Sequence, residues 1–198
     1  KISSAYLGVA GRGINPGLPE RFTIVSCSNL SNNKRLLEMA KALKKLAFSV
    51  QWVHFGDGEQ RAEIELIASS LPAYHEVILK GETPNEQVRA YLACTPVNLF
   101  VNLSLVEGLP VSIMEAMSAG IPVLATRVYG TPEIVVDTQT GYLLPSDFST
   151  ELLSQKITEI HSNVPEQLRL RDAAQKHVLT CFDAQTNYSA FAKEILNY

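Results

Sequence analysis

This sequence is short of several things, and each shortage removes a class of function. Cysteine occurs three times, at Cys27, Cys94 and Cys181. That number is odd and the spacing wide, so neither a disulfide framework nor a paired zinc motif can be assembled, and a reducing, cytoplasmic setting is expected. The four histidines, His54, His75, His161 and His177, have no metal-ligand spacing either, so no metal is expected. Basic residues do not outnumber acidic ones. Seventeen Lys and Arg against twenty Asp and Glu leave a net charge of −3 and no positive field to gather a nucleic acid. No apolar run approaches the ~20 residues of a membrane span, and no signal peptide is recognisable. No serine sits in a G-x-S-x-G elbow. The dinucleotide fingerprint G-x-G-x-x-G is missing after the first strand-like run, and Gly8, Gly11 and Gly13 precede that run in the wrong context. An initiating methionine is missing too: the chain begins at Lys1, which fits simple trimming or, on the sharper expectation, one domain excised from a longer protein.

What is present is an alternation. With 46% hydrophobic and 19% charged residues the chain is globular. Residues 1–21 hold four glycines and two prolines and read as a linker or entry segment. Apolar runs predict strands at 22–27, 50–55, 75–80, 98–103, 122–126 and 141–144. Helical periodicity falls between them, at 34–48, 59–69, 83–92, 110–119 and 131–136. Thr83, Pro84 and Glu86 predict a capping box at the third helix. Three further helical segments, 149–161, 165–179 and 183–196, close the chain. The pattern predicts an α/β fold, Rossmann-like and doubly wound, with a mainly parallel sheet of about six strands and helices on both faces. The α/β domain is expected over residues 22–180, with residues 181–198 as a C-terminal helix.

Two carboxylates stand eight positions apart across a helix start, Glu107 and Glu115, just after a strand. Gly108 allows close backbone approach, and Pro110 suits a first helical turn. The amides of Gly108 and Leu109 are then free donors near the positive helix end, suited to sugar hydroxyls or phosphate oxygens. Glu115, inside the helix, can accept two hydrogen bonds from a vicinal diol such as a ribose. On pattern alone, a helix-capping Glu107 and a solvated Glu115 fit as well. Lys34 follows the first strand across a polar loop and can hold phosphate, or serve as an ordinary surface lysine; Arg35 is a neighbouring candidate. Gly130 and Thr131 offer amides at another helix start.

These residues resemble the C-terminal, nucleotide-sugar-binding domain of a family four, or group one, retaining glycosyltransferase with the two-domain GT-B fold. The resemblance is carried by Phe22 to Leu30 with Lys34, by Trp52 to Gly58, and above all by the segment from Glu107 to Thr126. Gly81, Gly130 to Glu133, Gly141 and Asn187 to Phe191 complete it, over roughly residues 20–195. It implies that Glu115 holds the donor ribose, and that Glu107 hydrogen-bonds a hydroxyl of the transferred sugar. It further implies that Gly108 and Leu109 amides hold sugar hydroxyls or the distal phosphate, and that Lys34 clamps the diphosphate. Most such enzymes carry an arginine five residues before that lysine; Asn29 stands there. Their common Gly-Gly pair is Tyr129-Gly130 here.

The resemblance implies transfer of a sugar from a nucleotide diphosphate sugar, with retention and without a metal or other cofactor. The leaving phosphate assists the incoming hydroxyl, so no protein base is nominated. The acceptor, a saccharide or lipid-linked saccharide, belongs to an absent N-terminal domain, toward which the last helix packs through Tyr188, Phe191 or Ile195; packing on its own domain fits that helix equally. The isolated domain is expected to be inactive, and the full-length protein cytoplasmic or peripheral at a membrane, building polysaccharide. Two alternatives share the nucleotide contacts: an epimerase of the same fold, and a non-catalytic nucleotide-binding domain, for which Asn29 argues.

Overall fold

A computed structural model describes residues 6–11 and 13–196. Among them, six strands form one sheet: β1 (Phe22–Cys27), β2 (Val50–Phe55), β3 (Glu76–Leu79), β4 (Leu99–Asn102), β5 (Val123–Thr126) and β6 (Tyr142–Leu144). Every neighbouring pair is parallel, in the order β3-β2-β1-β4-β5-β6. The connecting helices are α1 (Leu36–Leu43), α2 (Arg61–Ser69), α3 (Asn85–Cys94), α4 (Val111–Ser118) and α5 (Thr131–Ile134). After β6 come α6 (Thr150–Ser162), α7 (Val164–Cys181) and α8 (Ala184–Leu196).

Strand alternation divides the apolar residues between two cores. Ile24, Trp52, Leu99 and Leu124 face one side and pack with Met39 and Leu43 of α1, Ile64 of α2 and Ile157 of α6. Their neighbours Val25, Val53, Phe100 and Val123 face the other, with Leu92 of α3, Met114 and Met117 of α4, and Val178 of α7. Both sheet faces are therefore buried, which explains why the strands read as largely apolar runs without a regular alternation of apolar and polar residues. Each such side chain contributes about 1.5–3 kcal/mol by leaving water.

Three local expectations are corrected. The helix predicted over 34–48 is broken at Arg35, whose φ of 50° is left-handed; a 3-10 turn, Asn32–Lys34, precedes the break and α1 follows it. The capping box at the third helix does not form: Pro84, extended at φ −53° and ψ 135°, occupies the cap position without a side-chain cap, and Thr83 Oγ1 donates instead to Gly81 O at 3.1 Å. Pro110 likewise precedes α4 in an extended conformation rather than opening its first turn.

The segment before β1 is held to the domain. Val9 N–H donates to Phe182 O (2.9 Å), and Val9 O accepts from Ala184 N–H (3.2 Å). Asn15 is buried; its Nδ2 donates to Leu92 O and Thr95 O, and its carbonyl accepts from Arg171 of α7 at 2.9 Å. Residues 1–5 of the expected linker lie outside the described residues. At the other end, α8 buries none of its described residues and leaves Tyr188, Phe191 and Ile195 exposed.

Candidate functional site

The sheet order reverses at β1. The chain steps outward from β1 to β2 and β3, then returns to lay β4 on β1's other side. Beyond the C-terminal ends of β1 and β4 the loops must diverge, and open α/β sheets form their crevice there.

Both loops deliver polar groups to that crevice. After β1, the turn Asn32–Lys34 and the left-handed Arg35 leave Lys34 facing the loop that follows β4. Lys34 Nζ lies 2.6 Å from Glu107 Oε1. The same oxygen accepts from Ser104 Oγ (2.6 Å) and Asn102 Nδ2 (3.2 Å). Burial pushes the Glu107 carboxyl upward, but the bonds from Lys34, Ser104 and Asn102 outweigh it and hold the group below its ordinary value. It is therefore an anion at neutral pH. Its Oε2 has no partner among the described residues.

Asn33 ties the two loops together. Its Oδ1 accepts from Val106 N–H (3.0 Å), its Nδ2 donates to Val106 O, and its carbonyl accepts from Leu105 N–H. Asn33, Asn102 and Ser104 were not singled out by sequence reasoning. Their bonds link residues up to 73 positions apart, and no local periodicity signals them.

Gly108 and Leu109 follow Glu107, and among the described residues no hydrogen bond engages either amide N–H. Gly130 supports this loop from below: a Cβ there would stand 2.2 Å from Gly108 O. The Thr131 amide is not free as expected; it donates to Val128 O at 3.0 Å, while the buried Thr131 Oγ1 has no partner among the described residues. Tyr129 stands exposed beside Gly130 at a φ of 40°.

Glu115 lies apart from the Lys34–Glu107 pair, on α4 and hence on the opposite face of the sheet from α1. It is buried, with Asn85 Nδ2 donating to both carboxylate oxygens at 3.0 and 3.2 Å and Arg89 Nε 3.8 Å from Oε1. Burial is the leading influence and raises its pKa, opposed by Asn85 and Arg89. Thus Lys34 and Glu107 meet directly, whereas Glu115 flanks the end of β1 from the other face. Cys27, at that end, is near enough that Glu115 adds to burial in pushing the thiol up to about 11.

An open cavity of about 280 Å³ lies at the ends of β1 and β2, lined by Cys27, Ser28, Asn29, Gly56, Asp57 and Thr83 among others. Asn29 is therefore at the cavity. Arg35 is not: its Nε donates to Leu103 O and its Nη1 to Ser146 O, both at 2.7 Å, and its guanidinium lies 4.2 Å from the Phe148 ring centroid. Among the described residues no group of three His, Cys, Asp or Glu side chains could hold a metal ion, and no helix is long and apolar enough to cross a membrane.

Comparison with known proteins gives a consistent picture. The family profile described as "Glycosyl transferases group 1" matches residues 14–177. The putative teichuronic acid biosynthesis glycosyltransferase TuaC of Bacillus subtilis is 30% identical over 88% of this chain and 42% of its own. The amylovoran biosynthesis glycosyltransferase AmsK of Erwinia amylovora is 24% identical over 98% of this chain and 50% of its own. The chain thus spans about half the length, or less, of these relatives. Among solved structures, HepE of Anabaena in complex with UDP-glucose superposes with a TM-score of 0.77 at 22% identity, over 90% of this chain and 50% of that one. That likeness shows the fold: this chain has the Rossmann-like architecture of GT-B glycosyltransferases.

Proposed function

This chain belongs to the glycosyl transferases of group 1, and we propose that it is the donor-binding half of such an enzyme. In this reading it holds a nucleotide diphosphate sugar at the crevice between β1 and β4. The sugar passes, with retention of anomeric configuration, to an acceptor bound by a separate N-terminal domain. One observation carries the proposal: Lys34 and Glu107, 73 positions apart, meet at the topological switch point beside two unengaged amides.

The chemistry follows from the charges. When the anomeric carbon parts from the phosphate oxygen, the bonding electrons move to the diphosphate. Lys34 Nζ and the Gly108 and Leu109 N–H groups are positioned to stabilise that growing charge, without further reorganisation of the site. An ammonium has three donors, so Lys34 can keep Glu107 and still bind phosphate. Glu107 Oε2 can accept from a hydroxyl of the transferred sugar. The acceptor oxygen bonds to the anomeric carbon on the face the phosphate leaves, and its proton passes to a phosphate oxygen. No protein base and no metal is called on.

The nucleoside is assigned to the cavity beside Asn29 and Asp57, with the ribose diol on Glu115. Arg35, committed to Leu103 O and Ser146 O, and Thr131, whose amide is used, have no part in this reading; Gly130 acts through the Gly108 loop. The exposed aromatic face of α8 supports a contact with the N-terminal domain. A reducing, cytoplasmic setting is the reading of the three free thiols.

The test is sugar transfer from a labelled donor, measured with the 198-residue chain and with the full-length protein on the same acceptor extract. The full-length protein should form product and the chain alone should not, because proximity of the two reactants is lost. Comparable turnover by both would overturn the half-enzyme assignment.

A further inference from the structure

A polar chain runs through the core behind the crevice. Trp52 Nε1 lies 2.9 Å from Ser26 Oγ, Ser26 Oγ lies 2.8 Å from His54 Nδ1, and His54 Nε2 lies 3.1 Å from Ser28 O. Trp52, Ser26 and His54 are all buried to 1% exposure or less. Burial pushes the His54 pKa down to about 4, so the ring is neutral at pH 7, and each proton in this chain then has one possible place. A carbonyl oxygen only accepts, so His54 Nε2 must carry a hydrogen. Indole only donates, so Ser26 Oγ accepts from Trp52 and uses its own hydrogen on Nδ1. His54 is thus the neutral Nε2–H tautomer, and its one donor is spent on Ser28 O.

That carbonyl belongs to the loop forming the crevice. Ser28 lines both the 280 Å³ cavity and the narrow niche that holds Lys34. Ser28 O is also backed by Gly56, where a Cβ would stand 1.8 Å away, so it is held from two directions. The peptide is trans, as are all those described, and a trans peptide points its N–H opposite to its C=O. Fixing Ser28 O toward β2 therefore turns the Asn29 N–H away from β2. The flanking amides agree: Ser28 N–H donates to Phe55 O and Leu30 N–H to Asp57 O, both on the β2 side, and the amide between them joins neither. Away from β2 is the β4 side, past the last β1–β4 pair, where Lys34 and Glu107 stand. Among the described residues the Asn29 N–H has no partner.

We propose that His54, held by Ser26 and Trp52, is a positioning residue that aims the Asn29 backbone amide at the diphosphate of the donor. Asn29 then contributes through its main chain rather than its side chain. The anion is shared between this N–H and Lys34. The inference builds on the donor-binding reading above, and its test separates the two.

The 198-residue chain is titrated with UDP, GDP, uridine and guanosine, as wild type, His54→Leu and His54→Gln. Wild type should bind one diphosphate more tightly than its nucleoside. His54→Leu, which keeps the volume and removes the donor, should lose about tenfold in diphosphate affinity with the nucleoside unchanged, the worth of one hydrogen bond to a charged group. His54→Gln, whose amide can still donate to Ser28 O, should recover most of that loss. Nitrogen-15 spectra of the wild type provide a measure that needs no variant. His54 should show a protonated Nε2 and a bare Nδ1, and the Asn29 amide should shift with the diphosphate but not with the nucleoside. A wild type that binds neither diphosphate overturns the donor-binding reading and this inference together. Diphosphate binding with an unmoved Asn29 amide, the opposite tautomer, or an unchanged diphosphate-to-nucleoside ratio in His54→Leu overturns this inference alone.

Discussion

Replacing Lys34 with alanine probes the electrostatics of the crevice in two independent ways. The Lys34 and Glu107 side chains are 20% and 13% exposed, so the pair is only lightly screened by solvent. A hydrogen bond between charged groups is worth about 1.5–3 kcal/mol, and breaking a fully buried pair costs about 3–5 kcal/mol. Glu107 keeps Ser104 and Asn102 after the change, so the lower range applies and about 2 kcal/mol of stability should be lost at pH 7. The loss should depend on pH with a definite sign. Glu107 titrates below its ordinary value of 4.5 in the folded chain, partly because of Lys34. Its contribution is therefore present above 4.5 and fades as pH falls through the folded value. Wild type and Lys34→Ala should differ in urea unfolding at pH 7 and converge as pH falls through the folded value of Glu107. In calorimetry at pH 7, the variant should also lose most of the gap between nucleoside diphosphate and nucleoside affinity. A stability difference independent of pH, or equal losses for diphosphate and nucleoside, would refute the pairing and the phosphate role respectively.

Glu115→Ala should weaken nucleoside and nucleotide alike by tenfold or more, since a ribose contact is common to both and each charge-assisted bond is worth about 1.5–3 kcal/mol; unchanged affinity, or a loss confined to the diphosphate, would reject the ribose role. Gly130→Ala places a methyl group 2.2 Å from Gly108 O, against backbone rather than a yielding side chain. It should cost about 1–3 kcal/mol in thermal unfolding and weaken donor binding through the displaced Gly108 loop; a variant with wild-type melting and affinity contradicts that support. His54, pushed by burial from 6.5 down to about 4, binds its proton less readily folded than unfolded. Stability should therefore fall between pH 6.5 and 4, by an amount on the order of 3 kcal/mol from this group, with Asp57 and Arg61 as the charges acting on it. Glu115, raised by burial, acts with the opposite sign, so the check is the stability difference between wild type and His54→Leu across that window; a difference that does not change with pH counts against a buried neutral His54.

The frame of this molecule was legible because both faces of its sheet are buried. β1 and β2 are apolar runs broken only by Thr23 and Ser26 in the first and Gln51 and His54 in the second, and both match their predicted bounds. The Glu107 to Glu115 segment was equally visible, since its glycine, proline and carboxylates sit together in sequence. What could not be read is tertiary. Arg35 has no local reason to adopt a φ of 50°; it does so in a structure where its guanidinium reaches Leu103 O and Ser146 O. Thr83 looked like a cap, but the cap position falls on Pro84, and the Thr83 hydroxyl donates to Gly81 O. Asn15 lay in a glycine-rich segment that reads as linker, although it bonds α3 and α7 at once through residues 77 and 156 positions away. The meeting of Lys34 with Glu107 is of the same kind: both residues carry a local signal, but only the return of β4 to the side of β1 brings them to 2.6 Å.

If this chain alone holds the diphosphate of a nucleotide sugar at the β1–β4 crevice, calorimetric titration of the folded 198-residue chain with UDP and GDP, each beside its nucleoside, will show it. One diphosphate should bind saturably, more tightly than its nucleoside, and more weakly as salt is added, as a charge-based contact does. A chain shown to be folded that takes up neither diphosphate at millimolar concentration would rule out a diphosphate site in this domain.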